Sequence, residues 1–176
     1  MNEPRLTPSV QIPRSAVTML SHRCAELGAP GVRALREAGY RAGIEVLPTV
    51  ADVPESLSPA EFWEALDRRL RAAGMGSIRF EPVARSLGAI AWRESPEAGG
   101  TRSDLRGARC HFAAGLLAGI LSRAASRTID VLEVRCGAGG TEPCWFVFGT
   151  VTRIRELRNS RAAKRAGAAP SAETAS

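Results

Sequence analysis

Apolar residues recur every three to four positions in the first part of the chain, and this spacing is typical of amphipathic helices. A first helix is predicted for residues 15–28, with Ser15 as its N-cap. Its apolar stripe consists of Val17, Leu20, Cys24 and Leu27. We interpret Cys24 as a core residue of this helix. A second helix is predicted from Pro30, and its apolar side consists of Val32, Leu35, Ala38 and Ala42.

A third helix has a clear start signal. Ser58, Pro59 and Glu61 match a capping box with proline in the first turn. The apolar residues that follow at intervals of four are Phe62, Leu66 and Leu70. We expect this helix to end at Gly74 or Gly76, because glycine readily adopts the left-handed conformation that ends a helix.

Alternating apolar and polar residues predict strands in the second half of the chain. Residues 78–83 and 88–92 form one predicted hairpin, and residues 128–134 and 144–150 form a second. Between the hairpins lies a long predicted helix, capped by Asp104 and ending near residue 126. Helices followed by paired strands predict an α+β fold, in which helices pack against an antiparallel sheet.

Length and composition are those of one ordinary domain. The 176 residues can bury a substantial core, and 44% apolar residues argue against a disordered protein. We divide the chain into an arm (1–13), a folded domain (14–150) and a tail (151–176) that is basic, then Ala/Ser/Pro-rich and partly disordered. No stretch is long and apolar enough for a membrane span, and no signal-peptide core is present, so we expect a cytoplasmic protein.

The net charge of +6 raises the question of a nucleic-acid partner. The predicted tail holds six basic and two acidic residues, so most of the excess lies outside the folded domain. Nearly all basic residues are arginine, and alanine and glycine are abundant, which fits a compositional bias better than a selected basic surface. We therefore expect no direct nucleic-acid partner.

Three cysteines and one glutamate have spacings that predict a closed metal site, and they are Cys110, Glu133, Cys136 and Cys144. Three thiolates and one carboxylate oxygen suit a structural zinc ion, which leaves no open position for a catalytic water. Glu133 and Cys136 can reach one ion only if the strand ends or bulges near Arg135. On spacing alone, small buried apolar cysteines are an equally good interpretation. His111 is the rival fourth ligand, although it points about 100° away from Cys110 around a helix.

The same region resembles the 4-vinyl reductase domain, a predicted hydrocarbon-binding module. The matching stretches are CHFAAG at 110–115, EVRC at 133–136, the glycines at 139–140 and CWF at 144–146. Upstream, AWRESPEA at 91–98 resembles that family's Trp-x-x-Ser-x-Glu-Ala stretch. The resemblance implies a zinc site with these cysteine and glutamate ligands, a helix-covered antiparallel sheet, and a homodimer.

The resemblance also implies a ligand pocket between helices and sheet. Its candidate residues are Trp92, as an aromatic wall with an indole donor, and His111, Gly115 and Gly119 on the long helix. The two glycines can alternatively form a close-packing seam against the sheet. Trp92 can alternatively be a core residue of its strand.

No catalytic constellation is visible, because the chain has two histidines and no nucleotide-binding or nucleophile motif. We interpret the protein as a binder with no catalytic residues. The first hypothesis is a sensory or regulatory module for an apolar or aromatic molecule, which signals through a separate protein. The second is an accessory factor in tetrapyrrole or bacteriochlorophyll synthesis. The third is a protein-interaction module with a vestigial pocket.

Overall fold

The computed structural model describes residues 13–46, 58–84, 86–98, 110–137 and 142–165. Its helices are α1 (Arg14–Glu26), α2 (Ala29–Val46), α3 (Pro59–Ala72), α4 (His111–Ala124) and α5 (Val151–Arg165). Its strands are β1 (Ser77–Ala84), β2 (Leu87–Arg93), β3 (Ile129–Arg135) and β4 (Cys144–Thr150). Most of the predicted arm, Asp104 and residues 166–176 lie outside the described ranges. Within those ranges, no helix is long and apolar enough to cross a bilayer.

The four strands form one antiparallel sheet in the order β1-β2-β4-β3. Both hairpins, β1–β2 and β3–β4, are the predicted ones, and they join through β2 and β4. The buried face of the sheet carries Ile78, Ile90, Trp92, Val131, Cys144 and Phe146. Helices α3 and α4 contact the sheet, so the predicted α+β architecture is confirmed.

Helix α4 is the centre of the fold, because residues 113–122 are buried without interruption. It begins at His111 with Cys110 as its N-cap, so the predicted start at Asp104 is wrong. The carboxylate of Glu97 accepts hydrogen bonds from two first-turn amides, at 2.7 and 3.1 Å. A buried carboxylate from another part of the chain therefore satisfies amides that have no partner within the helix.

Helices α2 and α4 approach each other closely along a seam of glycines. A methyl group added at Gly115 or Gly119 would overlap backbone carbonyl oxygens of α2. Methyl groups at Gly39 or Gly43 would overlap backbone atoms of α4 in the same way. The two glycines of α4 thus form a close-packing seam, but against α2 instead of the sheet.

Helix α3 starts with the predicted capping box. The Ser58 hydroxyl accepts the amide of Glu61, whose carboxylate accepts the Ser58 amide in return, at 3.3 and 2.8 Å. Hydrogen bonds from Ser58 lower the pKa of Glu61. The helix ends at Ala72, and Gly74 follows in the left-handed conformation with φ 68°. Asp67 accepts the amide of Ile78 at 2.8 Å, which ties α3 to β1.

Helix α1 turns its hydroxyl side inward. Thr18 and Ser21 are buried and donate to the carbonyl of Pro96 and the carboxylate of Glu97, at 3.3 and 2.9 Å. Cys24 is half-buried, so its interpretation as a core residue is wrong. The large apolar side chains point to solvent, with exposed fractions of 64% for Met19, 59% for Leu20 and 71% for Leu27.

Helix α5 has no counterpart in the sequence analysis, which assigned all residues after 150 to a tail. Its Ile154 is completely buried, and α5 packs against β3 and β4. Arg161 donates to the carbonyl of Val134 at 2.7 Å, and Arg158 pairs with Asp130 at 3.4 Å. Residues 151–165 therefore belong to the folded body, and they also cover the outer edge of β3, which is an edge strand.

Candidate metal centre and ligand-binding site

Four side chains meet where α4 begins and the β3–β4 hairpin closes, and they are Cys110, Glu133, Cys136 and Cys144. One sulfur or oxygen atom of each lies within 4.8 Å of the others. Three of the residues are buried and Cys136 is half-buried. The structure thus brings together the four residues predicted as ligands, and His111 is not part of this cluster.

Local backbone features place the four side chains. Cys110 is the N-cap of α4, and Cys144 is the first residue of β4. The register of β3 and β4 shifts between Glu133 and Arg135, which is the irregularity that the spacing required. This shift lets Glu133 and Cys136 reach the same point although they are three positions apart.

The cluster is closely hydrogen-bonded. The Sγ atoms of Cys110 and Cys144 are 3.6 Å apart, and the amide of Cys110 donates to Glu133 Oε2 at 3.1 Å. The amide of Gly137 donates to Cys144 Sγ at 3.3 Å. Hydrogen bonds from Cys110 and Cys136 lower the pKa of Cys144 to about 4. Hydrogen bonding with Cys136 and Cys144, together with burial, raises the pKa of Cys110.

These residues fit a zinc ion by donor type and by distance. A tetrahedral zinc with Zn–S bonds of about 2.3 Å separates its sulfur ligands by about 3.8 Å, close to the observed 3.6 Å. A divalent cation would also offset the mutual repulsion of several thiolates and a carboxylate. With four protein ligands, such an ion has a structural role, and nothing in this geometry provides for hydrolytic chemistry.

The AWRESPEA stretch connects the metal centre to α1 through Glu97. Its carboxylate accepts from Ser21 on α1 and from Phe112 and Ala113 on α4. Burial raises the pKa of Glu97 to about 7, although all three hydrogen bonds act in the opposite direction. Glu97 therefore holds the start of α4, and with it Cys110, in place.

The predicted pocket residues do not share one environment. Trp92 is fully buried, and its indole N–H donates to the carbonyl of Met75 at 2.8 Å, as a core tryptophan does. His111 is half-buried, and burial and the nearby Arg36 charge lower its pKa. Gly115 and Gly119 pack against α2, so the backbone there leaves no room for a ligand.

An aromatic cluster on the same face of the sheet was missed by the sequence analysis. It consists of Phe62, Trp63, Phe80 and Phe148, all half-buried. The rings of Trp63 and Phe80 stack in parallel, with centroids 4.8 Å apart. Gly88 lies beneath, where a methyl group would overlap the rings of Phe80 and Phe148. The signal available in the sequence was weak, because these residues come from three separate elements.

Two clefts are lined entirely by residues that the structure describes. One, of about 290 Å³, lies at the β1 edge between Arg71, Arg79 and Arg93. The other, of about 570 Å³, lies at the end of α4 beside Tyr40 and Arg127. Neither is lined by the predicted pocket residues or by the aromatic cluster.

Fold and site together define an α+β module with a closed, thiolate-rich metal centre. The family model of the 4-vinyl reductase domain matches residues 89–150, which contain all four residues of the metal centre, helix α4 and most of β2. This match confirms the resemblance to that family for the matched segment. No curated protein matches the chain.

Solved structures share the fold over most of the chain. The phenol-responsive sensory domain of the transcription activator PoxR, solved with phenol, has a TM-score of 0.71 at 15% identity, covering 88% of this chain and 82% of its own. A vinyl-4-reductase family protein from Methanocaldococcus jannaschii has a TM-score of 0.53 at 19% identity, covering 81% and 84%. An H-NOX mutant from T. tengcongensis has a TM-score of 0.51 at 16% identity, covering 84% and 79%. At these identities the similarity demonstrates a common fold.

Proposed function

We propose that this protein is a sensory module that binds a small apolar or aromatic molecule and is held together by a structural zinc ion. The carrying observation is the buried cluster of three thiols and one carboxylate, within a fold similar to a phenol-responsive sensory domain. The ligand would bias the conformation of the module, and a separate regulatory protein would receive the signal.

The zinc proposal is tested by metal analysis of protein purified without chelator. We expect about one equivalent of zinc per chain, because one set of four ligands is present. Cys136→Ser should lose the metal. Cys24→Ser is the matched control and should retain it, since Cys24 lies on α1, outside the cluster. A fully folded wild-type protein without any metal would contradict the proposal.

For the ligand, the half-buried aromatic cluster is a better location than the glycine face of α4. Aromatic rings offer large apolar surfaces with preferred stacking geometries, and ligand sites are lined mainly by such side chains. Phe62, Trp63, Phe80 and Phe148 are all accessible in part, whereas Gly115 and Gly119 are closed off by α2. Trp92 remains the second candidate as an aromatic wall, with His111 beside the metal centre.

A thermal-shift screen of phenols, alkylbenzenes and tetrapyrroles tests the ligand proposal. A ligand at a hundredfold excess over its Kd adds about 2.7 kcal/mol of stability. Trp63→Ala should abolish the shift and keep the zinc, whereas Trp145→Ala, on the opposite sheet face, should keep both. Loss of the shift in Trp92→Phe but not in Trp63→Ala would place the ligand at Trp92 instead.

The same screen separates the other two functions. Stabilisation by tetrapyrroles alone would favour an accessory factor in tetrapyrrole synthesis. Absence of any shift, with zinc present, would favour a protein-interaction module.

A further inference from the structure

Helix α1 has an inverted distribution of polarity. The side facing the protein presents Thr18 and Ser21, which are buried and hydrogen-bonded to residues 96–97. The side facing solvent presents Met19, Leu20 and Leu27, each more than half exposed. An ordinary surface helix buries its apolar stripe and exposes its polar residues.

The apolar residues of α1 form a patch. Four large apolar side chains are more than half exposed in the described part of the chain, and three of them lie on this helix. The fourth, Val83, lies on β1. Single exposed apolar residues are common, whereas contiguous ones mark interaction sites. Half-buried Cys24 lies between Leu20 and Leu27 and continues the patch.

The charges on this side of α1 favour a second copy of the chain as its partner. Arg23 and Glu26 form an exposed ion pair beside the leucines, with a distance of 3.0 Å. The patch is therefore electrically neutral on a chain whose net charge is +6, so two copies can meet here without net repulsion. In an antiparallel pair, Arg23 of each helix can face Glu26 of the other, as a self-complementary two-fold interface requires.

We propose that the outward face of α1, formed by Met19, Leu20, Arg23, Glu26 and Leu27, is the contact between two copies of this chain, packed as an antiparallel helix pair. The inference gives a location to the homodimer expected from the family resemblance. It rests on neither the ligand nor the zinc proposal.

The size of the patch determines how strong this contact is. A helix of 13 residues is about 20 Å long, which is short for an interface of roughly 800 Å² per partner. We therefore expect a weak dimer whose dissociation depends on concentration in the micromolar range. Because Ser21 on the inner side binds Glu97, the contact lies one hydrogen bond away from the residue that holds the start of α4.

Sedimentation equilibrium over a concentration series tests the proposal. Wild-type protein should dimerise, and Leu20→Glu/Leu27→Glu should raise the dimer Kd more than about tenfold, because buried charges would replace apolar contacts. Val83→Glu is the matched control, since it changes a similarly exposed apolar residue on β1 and should leave the Kd unchanged. Wild-type protein that stays monomeric, or a double variant that dimerises like the wild type, overturns the proposal.

A charge experiment tests self-association without changing the apolar patch. Arg23→Glu gives two acidic side chains on this face, and Glu26→Arg gives two basic ones. Each variant alone should dimerise more weakly than the wild type. Their mixture should form heterodimers preferentially, an effect that added salt weakens. Heterodimers at only the statistical proportion would overturn the α1 contact.

A bismaleimide crosslinker gives a third readout through Cys24, which lies within the patch. Dimer contact at α1 predicts a covalent dimer in the wild type and none in Cys24→Ser. A covalent dimer that persists in Cys24→Ser would show contact elsewhere and overturn the proposal.

Discussion

Helices α1 and α4 both show helical periodicity in the sequence, and they end in opposite environments. Residues 113–122 of α4 are buried without interruption, between the sheet and α2. On α1, Leu20 and Leu27 of the predicted stripe stand 59% and 71% exposed, and the hydroxyls of Thr18 and Ser21 make the inward contacts. Periodicity therefore predicts that a helix forms, but it does not predict which surface covers its apolar side.

The difference has a physical cause in what each helix meets. Helix α4 meets apolar strands on one side and a glycine-lined helix on the other, so every side of it can exclude water. Helix α1 meets the polar loop at residues 95–97, where a buried carboxylate and a carbonyl need donors. Hydroxyl groups satisfy those acceptors, and the apolar stripe is turned outward as a consequence.

The largest effect that would sharpen this contrast is loss of the metal at the start of α4. Structural zinc contributes about 10–16 kcal/mol in zinc-finger peptides, comparable to the whole stability of a domain, which is about 5–15 kcal/mol. Cys144→Ala should therefore leave the domain largely unfolded at 25 °C, as measured by circular dichroism. Cys24→Ala on α1 should unfold within about 1 kcal/mol of the wild type. A Cys144→Ala protein with the wild-type melting temperature would contradict a structural metal.

A second large effect is expected at the glycine seam of α4. Gly119→Ala improves helix propensity by about 1 kcal/mol, but the added methyl group overlaps the backbone of α2. We expect a net loss of about 3 kcal/mol or more in the free energy of unfolding, measured with urea. Ala38→Leu, on the exposed side of α2, is the control and should change stability by less than about 0.5 kcal/mol. A stabilised Gly119→Ala protein would show that the helices can separate at little cost.

Sequence reasoning succeeded where the determinant is local. The capping box at Ser58 and Glu61 is a contact over three residues, and the irregularity between Glu133 and Arg135 follows from the period of a strand. The convergence of the metal-site residues follows from these elements together with the family resemblance.

Sequence reasoning failed where the determinant is distant along the chain. The start of α4 depends on Glu97, which precedes the helix by 14 residues and caps it through space. The partner of Gly115 and Gly119 is α2, because Gly39 and Gly43 supply matching space. Helix α5 was missed, since its basic sequence resembles a solvated tail and only Ile154 is completely buried.

A smaller effect, dependent on pH, is expected at Glu97, which links the two helices. Burial raises its pKa from 4.5 to about 7, so the folded state retains a proton that the unfolded state releases. The associated stability is complete below about pH 4.5 and is lost as the pH rises to about 7. The total loss is on the order of 3 kcal/mol.

Glu97→Gln should flatten this pH dependence, because glutamine has no proton to lose. Urea unfolding between pH 5 and 8, with zinc content checked at each point, measures the difference from the wild type. Glu94→Gln is the matched control from the same loop, since its side chain is exposed, and it should follow the wild-type profile. Parallel profiles for wild type and Glu97→Gln would show that Glu97 stays ionised when buried.

The smallest effect is expected on α1, and it tests the comparison most directly. Leu20→Glu should change the unfolding free energy by no more than about 0.5 kcal/mol at concentrations where the protein is monomeric, because the side chain is already in water. The same substitution on α4, Leu116→Glu, buries an unpaired carboxylate and should unfold the domain. Urea unfolding of both variants, with the wild type at the same concentration, measures the contrast. A loss of about 2 kcal/mol or more in monomeric Leu20→Glu would show that the chain itself covers this face, and α1 would then be an ordinary buried helix like α4.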